Sequence, residues 1–252
     1  MNFVTVESTS DAIAQITFSR PPVNAINAEA ISQLGNAIDQ AVADDQARAI
    51  ILTGQDAFFS FGLDVPEIFP LSPEEFTDFL RQFTGLYRKI FASPKPIIAA
   101  LNGHATAGGC MLAIACDHRV MAQGKAKIGL NEVRFGAGLF AGSSIMLERI
   151  VGGKTADTIA QLGAFYSADE AKMIGLVDVA CAADDVLPRS FDIAQEYLTS
   201  KPAALRQIRQ TTKAATLCAI EAAEEESLRT FVEIWYSPET RKQVEKIVIR
   251  ET

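Results

Sequence analysis

Histidine is nearly missing from this chain: His104 and His118 are the only two in 252 residues. That scarcity works against a zinc site, whose usual ligand sets need clustered histidine and cysteine. Cysteine is sparse as well. Cys110, Cys116, Cys181 and Cys218 show no CxxC spacing, which removes the common metal and redox motifs. Buried, reduced thiols in a reducing compartment are expected, with no disulfide and no metal. Positive charge is in deficit, 23 Lys and Arg against 31 Asp and Glu, for a formal net charge of -8. Such a chain is a poor nucleic-acid binder, because phosphate contacts need clustered bases. It also offers no polybasic membrane surface. No apolar run approaches the ~20 residues of a membrane span. The N-terminal MNFVTVESTS lacks a basic segment leading into an apolar one, so no signal peptide is read. A soluble, cytoplasmic protein is the expectation.

What the chain does have is apolar material, 48% of its residues, enough for a sizeable core. Residues 94–132 organise the rest. An apolar run at 97–101 has the length and composition of a buried strand. It ends at the turn signal Asn102-Gly103 and passes through a small-residue loop to Gly108-Gly109. An apolar helical segment, 110–116, follows at once. Glycines at a strand-to-helix junction let a ligand approach the backbone. The first amides of the helix are unpaired and sit at the positive end of its dipole. That place suits a developing negative charge, although a glycine pair alone is also a common turn signal. Glu132 is then a lone carboxylate in apolar surroundings. Glutamate is mostly a surface residue, so position alone leaves a catalytic and a solvated role open.

Around this centre, elements alternate. Strands are read at 3–6 and 13–18, joined by a turn at Ser10-Asp11. A helix over 28–43 starts from Asn27 as N-cap, and a strand at 48–53 follows. The stretch 58–64 reads as an apolar loop, unusual for a loop and therefore a pocket wall. A helix at 73–91 precedes the central strand, with further strands at 117–121 and 127–129. This alternation implies an α/β fold with mostly parallel pairing. Helices at 143–150, 155–162, 168–174 and 184–199 come next, with a short strand at 177–179. Beyond Lys201-Pro202 the reading is helical throughout, at 203–215, 220–235 and 238–249. The chain divides into an α/β core, 1–190, and a helical region, 191–252. The Glu224-Glu225-Glu226 run reads as a solvated helix face, and the tail's apolar residues need cover from the core or another subunit.

Four motifs in order carry a resemblance. They are Phe59-Ser60-Phe61-Gly62-Leu63-Asp64, then Asn102-Gly103-His104-Ala105-Thr106-Ala107-Gly108-Gly109-Cys110, then Ala115-Cys116-Asp117, then Ile128-Gly129-Leu130-Asn131-Glu132. With the Pro-Pro-Val-Asn-Ala loop at 21–25, they resemble the crotonase superfamily, the enoyl-CoA hydratase/isomerase family. The resemblance implies a spiral of ββα units followed by a C-terminal helical trimerisation region. It implies an acyl-CoA thioester substrate, coenzyme A being part of the substrate and no separate cofactor being needed. A homotrimer or dimer of trimers, and a place in fatty acid metabolism, follow from it too. By resemblance the amides of Leu63 and Gly108 bind the thioester oxygen and Glu132 is the acid/base. Ala25, Phe61, Gly62, Leu63, Asp64, Gly108, Gly109 and Met111 are the implied substrate-binding residues.

The carboxylates select the reaction. Hydratases of this family carry a second glutamate three positions after the oxyanion-hole glycine, where this chain has Met111. A single base suffices to move a double bond, since one proton leaves one carbon and returns to another. The stretch around Glu132, and Gly-Gly-Cys at 108–110, resemble the isomerases that convert 3-enoyl-CoA to 2-enoyl-CoA. One departure is the loop after Glu132, which has three glycines and no proline where those isomerases commonly carry one. Arg134 in it either tunes the charge of Glu132 or faces solvent. The competing readings are hydration, decarboxylation or thioester hydrolysis through the same enolate, and a non-catalytic acyl-CoA-binding protein. His104, His118 and Asp117 are read as structural, and Asp64 and Glu67 as structural or solvated. Arg20, Lys89 and Lys95 are the candidate partners of the CoA phosphates, with nothing to choose among them.

Overall fold

A computed structural model describes residues 1–9, 11–247 and 249 of the chain. Strands β1 (Val4–Ser8) and β2 (Ile13–Phe18) form an antiparallel hairpin. The turn expected at Ser10-Asp11 falls partly on Ser10, outside the described residues. β3 (Ala25–Ile26) leads into α1 (Ala28–Ala43), where the Asn27 side chain accepts the Ala30 N–H at 2.9 Å as N-cap. β4 (Ala49–Gly54), β5 (Phe58–Ser60) and β6 (Gly62–Leu63) follow, then α2 (Val65–Ile68) and α3 (Pro73–Ala92). The centre is β7 (Ile97–Leu101), β8 (His104–Thr106), α4 (Gly108–Ala115), β9 (His118–Ala122) and β10 (Ile128–Gly129). Then come α5 (Ala141–Val151), α6 (Gly153–Leu162), α7 (Ala168–Met173), β11 (Val179–Cys181) and α8 (Val186–Leu198). α9 (Pro202–Trp235) and α10 (Pro238–Val244) close the chain.

The large sheet has the order β1-β2-β4-β7-β9-β11, and every pair beyond the first hairpin is parallel. β4 and β7 are buried along their whole length. That explains their unbroken apolar sequences, since a parallel strand is covered on both faces. A second sheet, β10-β8-β5, is also parallel. The pairs β4/β5, β7/β8 and β9/β10 each put their first strand in the large sheet and their second in the small one. The chain thus winds as a spiral of strand–strand turns, with helices packed outside. α3 is set by a capping box, in which Ser72 and Glu75 serve each other's backbone, and by Pro73 in its first turn. Its Phe76, Phe79, Leu80, Phe83 and Tyr87 form one buried face.

The structure departs from the sequence reading in several places. The stretch 58–64, expected as a loop, holds β5 and β6, paired to β8 and β3, with only Phe61 and Asp64 outside them. The two helices expected at 203–215 and 220–235 are one continuous α9. The strand expected at 117–121 begins one residue later, and the one at 177–179 lies at Val179–Cys181. The last helix ends at Val244, and the remainder of the expected 238–249 includes Val248, outside the described residues. Glu224 is not solvated: it is 7% exposed, held by the Tyr87 hydroxyl and the Gly142 amide. No described helix is long and apolar enough to cross a membrane.

Asp117 is structural, as read. It is largely buried, its side chain 10% exposed, at the junction of α4 and β9, and accepts the Ile97 amide at 2.8 Å. Two cations of α9 reach it, Arg209 at 2.9 Å and Lys213 at 2.7 Å. Burial pushes its carboxyl up, but Lys213 and Arg209 outweigh that and hold it below the ordinary range.

Candidate active site

Two backbone amides meet beside the N-terminus of α4. Along β6 the Asp64 amide donates to Ile26 O at 2.9 Å. Amides alternate along a strand, so the Leu63 N–H points the other way, toward α4. Gly108 is the first residue of α4, where amides have no acceptor inside the helix. The two loops lie so close that side chains would wedge them apart. A Cβ on Gly108 would sit 3.3 Å from the Leu63 nitrogen and 3.2 Å from Phe83 Cζ, and one on Gly62 2.9 Å from the Gly108 nitrogen. Ala107, just before α4, takes φ 48°, ψ -121°, a strained conformation for a residue with a Cβ. The Ala107 amide is anchored to Gly129 O at 2.9 Å.

That anchor also brings in the carboxylate. β10 pairs with β8, Gly129 opposite Thr106, so the chain leaving β10 emerges beside the paired amides. A 3-10 turn, Glu132–Phe135, follows, with Ala137 N–H closing on Glu132 O at 3.0 Å. Glu132 is 5% exposed, and neither carboxylate oxygen has a hydrogen-bond partner among the described residues. Burial pushes its pKa up to about 8. Arg134 Nε donates to Leu162 O and Gly163 O at 3.1 and 2.6 Å, so it ties the turn to the end of α6.

Leu63, Gly108, Met111 and Glu132 line one cavity of about 560 Å³, together with Phe61. Among the described residues that line it, Glu132 is the sole carboxylate. The rest of the wall is largely apolar and aromatic, with Phe140, Phe231 and Trp235 on one side. The other residues tied to substrate by resemblance lie behind this wall. Ala25 pairs with Gly62 in the β3–β6 ladder, and Gly109 packs against Ser60, whose carbonyl would be 2.2 Å from a Cβ there. Asp64 caps α2 through the Glu67 amide and forms an ion pair with Arg20 at 2.5 Å.

The three bases offered for CoA phosphates are engaged elsewhere. Arg20 is held by Asp64, Lys89 pairs with Asp39, and Lys95 donates to Ala41 O and Asp44 O at 2.9 and 2.7 Å. The basic residues that do line the cavity are Lys127 and Arg134, and no sequence pattern singled out Lys127. His104 lines it too, half-buried and tilted against the Phe58 ring at 5.0 Å. Burial and nearby Lys127 lower the pKa of its imidazole. His118 lies outside the cavity, bonded to Tyr197 at 2.8 Å.

The sequence matches the profile described as Enoyl-CoA hydratase/isomerase over residues 8–248. The chain belongs to the enoyl-CoA hydratase/isomerase family. Within this family it is 31% identical over 198 residues to the mouse mitochondrial enoyl-CoA delta isomerase 1, covering 77% of this chain and 68% of that protein. It is 30% identical to a probable enoyl-CoA hydratase of Bacillus subtilis, covering 92% and 91%. The crystal structure of human mitochondrial delta3-delta2-enoyl-CoA isomerase superposes with a TM-score of 0.92, at 26% identity, over 96% of this chain and 95% of that one. Isomerase and hydratase names both occur among its relatives, so the family assignment makes the chain an enzyme of this class without selecting the reaction.

Proposed function

We propose that the protein is an enoyl-CoA isomerase, moving a double bond from position 3 to position 2 of an acyl-CoA. One observation carries this reading: a single carboxylate among the described lining residues, buried and with no hydrogen-bond partner among them, stands in a largely apolar cavity beside two converging amides. In the proposed reaction the Glu132 carboxylate takes a proton from C2. The C–H electron pair moves toward the thioester, and negative charge gathers on its carbonyl oxygen as a dienolate. The amides of Leu63 and Gly108 donate to that oxygen and stabilise it more than the neutral carbonyl. Glu132, now a carboxylic acid, returns the proton to C4, and the double bond forms between C2 and C3. Substrate proton and electrons are conserved, and the base ends as it began. An apolar wall suits the acyl chain and keeps water from the dienolate.

Hydration would need a group to activate water and another to deliver a proton. Met111 lines the cavity where the second carboxylate of the hydratases stands, and it can do neither. The reading extends to a homotrimer or dimer of trimers, and to a cytoplasmic role in fatty acid metabolism.

The test is turnover of a 3-enoyl-CoA in deuterated water, followed by the absorbance of the conjugated product and by mass spectrometry. The wild type should give the 2-enoyl thioester and little hydrated product. Glu132→Gln should lose roughly 100- to 10,000-fold in rate, the range of general acid–base catalysis. Unchanged turnover in that variant, or a hydroxyacyl-CoA as the main product, would overturn the proposal.

A further inference from the structure

A buried carboxylate outside the reacting centre remains to be explained. Helix α5 begins after Phe140, which offers no capping side chain, and leaves the first amides of α5 to be satisfied from elsewhere. α9 supplies what is missing. Glu224 Oε2 accepts the Gly142 N–H at 2.9 Å, and Ser227 Oγ accepts the Ala141 N–H at 3.0 Å. The two lie three residues apart, on one face of α9. Glu224 Oε1 also accepts the Tyr87 hydroxyl of α3. The fit requires glycine at 142: a Cβ there would lie 2.6 Å from Tyr87 Oη and 2.9 Å from Glu224 Oε2.

The residue this cap holds is Phe140. It is 1% exposed, lines the cavity, and stacks on Phe231 of α9 with centroids 4.4 Å apart. On its other side it meets Phe83, the ring that abuts Gly108. A carboxyl group with donors on both oxygens is an expensive thing to bury, and this one ties α9, which carries Phe231 and Trp235 of the cavity wall, to Tyr87 of α3 and to the first turn of α5, next to Phe140.

We propose that Glu224, with Ser227, is a positioning pair: it caps α5 from a distant helix and thereby fixes Phe140 as the wall against which the acyl chain packs. The inference rests on reading the cavity as the acyl site. Glu224 touches no reacting atom, so its effect falls on acyl binding and wall packing.

The chain has a single tryptophan, Trp235, which lines the same cavity and stacks on Phe231 at 6.2 Å. Its fluorescence therefore reports on the wall without any turnover. Glu224→Ala should red-shift that emission, raise its quenching by acrylamide, and weaken binding of saturated octanoyl-CoA. The expected loss is about five- to tenfold, the size of a lost helix cap. Affinity for free coenzyme A should stay unchanged. Glu224→Gln should restore both readouts, because its amide oxygen accepts from Gly142 while its NH2 donates to the Tyr87 oxygen. A purely structural carboxylate would lower the melting temperature and leave the emission of the folded variant alone. Wild-type emission and octanoyl-CoA affinity in folded Glu224→Ala would overturn the proposal. Should that variant fail to fold, Ser227→Ala decides by the same readouts, with smaller changes in the same direction supporting it and none refuting it. A wild type that binds octanoyl-CoA but moves no double bond would remove the isomerase reading and leave this test standing. If octanoyl-CoA does not bind at all, the acyl part of the inference falls, and the emission arm still judges the cap.

Discussion

Glu132 sits in the folded protein at a thermodynamic cost that depends on pH. Its pKa of about 8 stands above the ordinary value of 4.5, so the folded state holds this proton more tightly than the unfolded chain does. Between those two values the folded state binds more protons, and stability falls as pH rises, by at most ~1.4 kcal/mol per pH unit. Below 4.5 both states are protonated and the difference vanishes; above 8 the full penalty is present. Thermal melts of wild type and Glu132→Gln should therefore diverge from pH 5 to pH 8.5, with the variant more stable at the alkaline end. Parallel melting curves at the two pH values would contradict this. The proposed base works only when ionised, so kcat/KM should climb with pH and level off above about 8. Isolation in the apolar stretch Leu130-Asn131-Glu132-Val133 marked this residue without deciding its role, and the match of 128–132 to a family motif is what singled it out. Glu224 was not. Its neighbours in the chain are two more glutamates, while the groups that hold it are 137 and 82 residues away in sequence.

Among the elements, α9 shows where periodicity misleads. Its buried positions are Arg209, Lys213, Ile220, Glu224, Leu228, Phe231 and Trp235, a regular helical stripe in which three members are charged. A search for apolar spacing sees only the later part of that stripe, so the sequence reads as two helices. The charges are inside because Asp117 and the carbonyls of Phe91 and Ser93 receive Arg209 and Lys213. Strands β4 and β7 behave in the opposite way: every residue is buried, and apolar composition alone locates them. Removing the shared anion should cost far more than a surface pair would. Asp117→Ala leaves two buried cations without their partner, and a loss of about 3–5 kcal/mol is expected in chemical denaturation. A loss under ~1 kcal/mol, as for exposed pairs, would show that solvent or another group compensates. The carboxyl is held below its usual range, so this stabilisation is present above the unfolded value and disappears as pH falls through the lower, folded one.

At the level of the whole molecule, the helical C-terminal region is part of the cavity. Phe231 and Trp235 of α9 line it, and Tyr236 donates to Leu71 O at 2.5 Å while Arg241 donates to Phe69 O at 2.9 Å. Residues 1–201 alone would expose the aromatic face of α3 and strand Asp117 without its cations. That fragment should lack a cooperative melt and near-ultraviolet dichroism; a sharp transition would mean the core folds independently. The parallel core strands and the helical ending were readable because each is written in contiguous residues, while the spiral came only with the family resemblance, since β5 and β8 are too short to show as strands. The identity of the cavity's basic residues was not, since Lys127 reaches it only through the pairing of β10 with β8. The converging N–H groups of Leu63 and Gly108 belong to the polypeptide itself, and on the proposed reading this has a consequence for how such an enzyme can diversify. Genetic drift can swap the surrounding side chains and so rewrite which acids are accepted. No codon change short of proline deletes those two N–H groups, so on the proposed reading a lineage can trade its acids and its diet while the grip on the thioester oxygen is inherited unchanged.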